Sequence, residues 1–179
     1  LHEVLPERIT GVLEQAIPAL ERGIGRYWYP HVTATVILAV DRSRTDAAVT
    51  GWNSLWDSPV PIGISSSSAI RNMLALGALS YGLDREAPSK RDALELLEHL
   101  GQNGNFRLEA SDAPILICLD CEAAAWNRNG GNYEIIVPAE GTLSCRMGLL
   151  SDVPLTLEPG LDETLLSAGL PLVDGERPA

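Results

Sequence analysis

The densest run of groups with a chemical use is Gly63-Ile64-Ser65-Ser66-Ser67-Ser68-Ala69, in which consecutive hydroxyls join a short apolar run to a helix-forming stretch. A strand that ends in small hydroxyl residues and reopens as a helix gathers unpaired backbone N–H groups, hydroxyls and the positive end of a helix dipole. That set suits a phosphate, a sulfate or a carboxylate. One serine suffices to cap a helix, so Ser65, Ser66, Ser67 and Ser68 exceed the need, and plain capping is the competing explanation. Downstream, Thr142, Ser144 and Arg146 follow the Glu140-Gly141 turn. Arg146 is either a charge for an anion or an ordinary surface arginine.

Cys118-Leu-Asp-Cys121 has the spacing of redox and zinc sites. Zinc wants a second ligand pair, and His2, His31 and His99 are distant in sequence. With Cys145 the thiols number three, an odd set that makes no disulfide framework. Free cysteine also behaves as a small core residue, and that is the reading adopted for all three. No GxSxG, HExxH or phosphate-binding glycine loop occurs. No catalytic residue, metal site or cofactor is therefore assigned, and the chain is read as a non-enzyme.

A net charge of -11, with 13 basic residues scattered rather than clustered, excludes a nucleic-acid partner. At 179 residues, 45% of them apolar, the chain can bury one ordinary core. No apolar run approaches the roughly 20 residues of a membrane span. The first residue is Leu1, so the N-terminus reads as processed or shortened.

The elements that must position these groups follow from periodicity. Residues 6–22 space Ile9, Val12, Leu13, Ala16, Ile17 and Leu20 as a helix. Val32–Val40 is β-branched and almost wholly apolar, the composition of a strand covered on both faces. Gly51–Asp57 reads as a short helix and Val60–Ile64 as a short strand. A helix then runs from the serines to about Tyr81. Another spans 90–100, opened by Pro88-Ser89 and closed by Gly101. Ser111-Asp112 with Pro114 looks like a helix start, so a helix is expected over 112–119 and a strand over Glu122–Trp126. Trp126 and Asn127 would then end a strand, where open α/β sheets place ligands; a buried core Trp126 is the alternative. Tyr133–Val137 and Leu143–Leu150 read as strands and Asp162–Ala168 as a short helix. The order is that of an α/β fold.

Four motifs in this order resemble a known family, the periplasmic solute-binding proteins of ABC importers of the spermidine/putrescine, thiamine and iron type. Trp52-Asn-Ser-Leu-Trp-Asp57 looks like the family's W-x-x-L-W-D helix, and Pro61-Ile-Gly-Ile64 like the strand after it. The serine turn sits where the family has a ligand-contacting turn. Cys121-Glu-Ala-Ala-Ala-Trp126 resembles its G-E-x-x-x-x-W strand, and Ile136-Val-Pro-Ala-Glu-Gly-Thr142 its P-x-E-G loop. The match covers roughly residues 29–150.

The resemblance implies a type II periplasmic-binding fold: a mixed, mainly parallel sheet flanked by helices, here mostly the second lobe. Residues 30–150 would be the ligand-binding lobe, with Pro30–Val40 as the first crossover between lobes. Residues 1–29 would be a remnant of the first lobe or a packing arm, and 151–179 a C-terminal extension. Thr33 and Thr35 in the crossover would face the cleft, although as strand residues they need no function. The implied function is capture of a small solute for an ABC transporter permease, outside the cytoplasm and associated with the membrane. Serines and Met147 stand where polyamine-binding relatives carry acids, which favours an anionic or neutral solute. The alternative is a docking, sensing or dimerisation lobe without ligand. The aromatic run Tyr27-Trp28-Tyr29 and the apolar 153–172 would serve that reading, with a homodimer or another chain supplying the missing first lobe.

Overall fold

In a computed structural model of the chain, the described residues are 7–8, 27–64, 69–108, 112–151, 153 and 160–167. The chain divides into two compact units, one of Leu1–Ala34 with Cys145–Ala179 and one of Thr35–Ser144. In the first unit a two-residue strand, β1 (Glu7–Arg8), pairs antiparallel with the start of β2 (Tyr27–Asp41), Glu7 opposite Trp28. The helix expected from residue 6 therefore does not begin there, and the rest of that segment lies outside the described residues.

The unit Thr35–Ser144 is built on a mixed sheet. Strands β3 (Ile62–Ile64), β4 (Phe106–Leu108) and β5 (Ile115–Leu119) are mutually parallel in the order β5-β3-β4. β2 lies antiparallel to β5 along one edge and to β6 (Tyr133–Ile136) along the other. β7 (Ser144–Ser151) also pairs with β2. From Val36 to Val40 every residue of β2 is buried, as its uninterrupted apolar run requires of a strand covered on both faces. Helices α1 (Ala69–Leu83), α2 (Lys90–Gln102) and α3 (Asp120–Arg128) flank the sheet, and α4 (Leu161–Ser167) belongs to the first unit. The expected class, α/β with a mixed sheet and a parallel block, is what the chain adopts.

Ser89 opens α2 by accepting from the Arg91 amide at 3.2 Å. The helix runs through Gly101 instead of closing there. Gly104, at φ 71, is the left-handed residue, and bonds from Asn105 N to Leu100 O (2.7 Å) and Gly104 N to Gly101 O (3.0 Å) end the helix in a Schellman turn.

One stretch reverses the expectation. Residues expected as a helix over 112–119 hold β5, and those expected as a strand over Glu122–Trp126 hold α3. All five residues of β5 are buried and paired with β2, and Ile115, Leu116 and Ile117 are paired with β3 as well, Ile115 lying opposite Val40 on one side and beside Ile62 on the other. Two ladders outweigh the local cap signal of Ser111-Asp112-Ala113-Pro114, and the Pro114 carbonyl accepts instead from the Asp41 amide at 2.8 Å. The helix begins at Asp120 instead, where the Glu122 carboxylate reaches back to the Leu119 amide at 3.0 Å, half of a capping box. Three consecutive alanines then carry it forward.

Candidate functional site

β3 and β5 run in parallel register, Ile64 beside Ile117, and each is followed in the sequence by a helix, α1 and α3. The first turns of those helices therefore come side by side at the carboxyl edge of the parallel strands, the edge at which open α/β sheets hold ligands. The contact is explicit: Arg71 in the first turn of α1 pairs with Glu122 in the first turn of α3 through Nη1 and Oε1. The other Glu122 oxygen is committed to the Leu119 amide.

β2 passes along the same edge. Asp120 Oδ1 accepts from the Thr35 amide at 3.0 Å and from the Cys121 amide at 2.8 Å, so one carboxylate oxygen ends the β2–β5 ladder and opens α3. The Thr35 hydroxyl is 2.9 Å from that of Ser144. Thr142 Oγ1 donates to the Val36 carbonyl at 2.7 Å, and the Val36 amide donates to Leu143 O at 2.9 Å. Thr35, Asp120, Thr142 and Ser144 thus form one hydrogen-bonded group beside the Arg71–Glu122 pair.

The segment carrying Thr142 and Ser144 is fixed from behind by Glu140. Its two carboxylate oxygens accept from the amides of Trp52 (3.0 Å) and Asn53 (2.9 Å), the opening residues of the 3-10 helix Trp52–Leu55. The Trp52 indole donates to Gly141 O at 2.7 Å, and Arg85 donates to the Glu140 carbonyl. The close fit needs two glycines: a Cβ on Gly51 would stand 1.8 Å from Glu140 Oε2, and one on Gly82 1.9 Å from Trp52 Cδ1. Two of the motifs that carried the resemblance, Trp52–Asp57 and Pro138–Gly141, are therefore the two halves of one joint.

The CxxC pair lies here but shows no sign of reactivity. Cys118 is buried on β5 and Cys121 half-buried on α3, both as free thiols. Burial first, then the neighbouring carboxylates Asp120 and Glu122, push the Cys121 thiol up to about 11. Burial, followed by Glu122, also raises Cys118 well above its ordinary value. The thiolate and not the thiol is the nucleophile, so both groups are held in their less reactive form at neutral pH. Among the described residues no cluster of three or more His, Cys, Asp or Glu could hold a metal ion.

Of the residues singled out in the sequence, Thr35 and Thr142 meet at this edge. Ser65, Ser66, Ser67 and Ser68 lie outside the described residues. Thr33, half-buried on β2, and Arg146, exposed on β7, belong to the other unit. Trp126 and Asn127 do not end a strand; they sit near the C-terminus of α3, about 9 Å along the helix from its first turn. Trp126 packs on Tyr133 at 5.1 Å between ring centroids, and Asn127 bonds both backbone polar groups of Tyr133, at 2.8 and 2.7 Å. Both close the α3–β6 connection. Arg71, Asp120, Glu122 and Glu140 were not singled out as site residues. For Glu122 a signal existed, since a glutamate just inside a helix reads as a capping-box partner once the helix is placed correctly.

No protein-family model and no curated protein matches the sequence. Solved structures do. The chain is similar to the sulfate-binding protein SubI from Mycobacterium tuberculosis H37Rv, with a TM-score of 0.60 at 15% identity over 81% of this chain and 58% of that one. It is similar to the periplasmic binding protein AfuA from Actinobacillus pleuropneumoniae, with fructose-6-phosphate bound, at a TM-score of 0.53 and 17% identity over 81% of this chain and 50% of that one. A putative extracellular solute-binding protein from Bordetella parapertussis gives 0.52 and 12% identity over 82% and 52%. The chain thus spans little more than half the length of these structures, which are described as binding proteins. Among the described residues no helix is long and apolar enough to cross a membrane. The fold of this chain is that of the periplasmic and extracellular solute-binding proteins.

Proposed function

We propose that the chain is the solute-binding component, or a lobe of one, of an ABC-type importer, and that it takes a small anionic solute outside the cytoplasm and presents it to a permease. The observation that carries this reading is the carboxyl edge of β3 and β5. There the first turns of α1 and α3, the Thr35–Ser144 hydroxyl pair and Thr142 converge in a fold otherwise used by binding proteins. Ser65, Ser66, Ser67 and Ser68, between β3 and α1 in the sequence, are the hydroxyl residues this reading would add.

A ligand that binds only the folded chain raises its melting temperature by mass action, by about 2.7 kcal/mol of stability at a hundredfold excess over Kd. A thermal-shift series with sulfate, phosphate, phosphorylated sugars, thiamine, polyamines and amino acids is expected to single out one anion, with the shift lost in the Ser66→Ala/Ser67→Ala double variant. A second reading, a docking lobe without solute, draws on the outward exposure of Ile135 and Val137, 41% and 52%, on and just after β6. A uniformly flat series up to millimolar concentrations would favour it.

A further inference from the structure

A cation in the first turn of a helix opposes the helix dipole, so Arg71 occupies a position that helix formation alone disfavours. Its compensation is Glu122, but that carboxylate is divided. Oε2 holds the Leu119 amide, leaving Oε1 for Nη1 of Arg71. A guanidinium carries five N–H donors in a planar fork that matches two oxygens of a carboxylate, phosphate or sulfate. Glu122 engages it through one oxygen only. The two side chains differ in burial as well: Arg71 is 46% exposed and Glu122 16%. The glutamate is fixed in the protein, and the arginine extends from it towards solvent. The two side chains line a small apolar crevice of about 10 Å³ together with Val36, Ile64, Leu74 and Ile117. It has room for about one water molecule, so a solute would sit over the pair and not within the crevice.

We infer that Arg71 is the specificity-determining charge of the proposed solute site, held in place by Glu122 and shared with an anionic ligand of the oxyanion class. The inference rests on the solute-binding reading and narrows it. Arg71 meets the anion with the N–H groups that Glu122 does not engage, and Glu122 weakens the contact by competing for the same cation. The two residues therefore act on affinity with opposite signs. A purely structural latch between α1 and α3 would behave differently, since removing either half would have the same effect.

Titration calorimetry of the full chain with sodium sulfate, and separately with inorganic phosphate, tests this. Arg71→Gln is expected to weaken binding about tenfold, the loss of one charged hydrogen bond. Arg71→Lys should retain part of the affinity, and reports on charge should Arg71→Gln fail to fold. Glu122→Gln keeps an acceptor for the Leu119 amide and is expected to tighten binding several-fold. Affinities that fall together in both variants, or that do not change, overturn the inference. If neither anion binds the unaltered chain while a neutral or cationic solute does, the inference falls and the solute-binding reading stands. If nothing binds, both fall.

Discussion

Cys121 shows how position sets the chemistry of a side chain. Its spacing from Cys118 invites redox or zinc chemistry, yet burial and the charges of Asp120 and Glu122 keep its proton on up to about pH 11. Alkylation by iodoacetamide at pH 7.5 is therefore expected to be far slower at Cys121 than in the urea-unfolded chain. The sign for stability follows. The unfolded thiol ionises near its ordinary value and the folded one only near 11, so the folded state holds the extra proton between them. Stability is expected to be unaffected by this group below about pH 9 and to fall as pH rises towards about 11, which equilibrium urea unfolding across that range would measure. Glu140 has the opposite character, a residue with no conspicuous motif chemistry on which a joint depends. Glu140→Ala should cost about 2 kcal/mol by leaving the Trp52 and Asn53 amides without their acceptors, and Glu140→Gln about half of that.

At the scale of elements, legibility in the sequence follows the reach of the forces involved. β2 was legible because burial on both faces leaves an uninterrupted apolar run, Val36 to Val40, that no amphipathic helix would show. α2 was legible because its cap, Ser89, lies beside it. β5 was not: Asp112 and Pro114 imitate a helix start, and only pairing with β2 and β3 overrules them. A helix read into 112–119 displaces α3 as well and sets Trp126 at a strand end, whereas it packs against Tyr133. Of the residues at this edge, Thr35 and Thr142 could be named from the resemblance. The Arg71–Glu122 pair, 51 positions apart, depends on the register of two parallel strands, which no local pattern encodes. The α3–β6 connection yields its own test. Asn127→Ala removes both bonds to the Tyr133 backbone and should cost about 2 kcal/mol in urea unfolding, with little effect on any solute affinity, because Asn127 stands at the far end of α3 from the proposed site.

At the scale of the whole molecule, the unit Thr35–Ser144 begins and ends at the same place: the hydroxyls of its first and last residues lie 2.9 Å apart. A segment whose ends meet has the form of an insertion, and such segments commonly fold by themselves. The excised segment 35–144 is expected to show cooperative urea unfolding monitored by tryptophan fluorescence; a broad, non-cooperative transition would count against its autonomy. The same closure orders events in time. Glu140 caps amides 88 positions earlier, and Thr142 reaches Val36 across 106. Contacts of such sequence separation carry a loop-closure cost before they return any stability. During synthesis, β2 emerges long before its partners, so its apolar run Val36–Val40 is expected to stay uncovered until Ile115–Leu119 and Tyr133–Ile136 have left the ribosome. The joint at Glu140 is expected to form after those ladders, so the unit would close its edge only once residues 138–144 have been made.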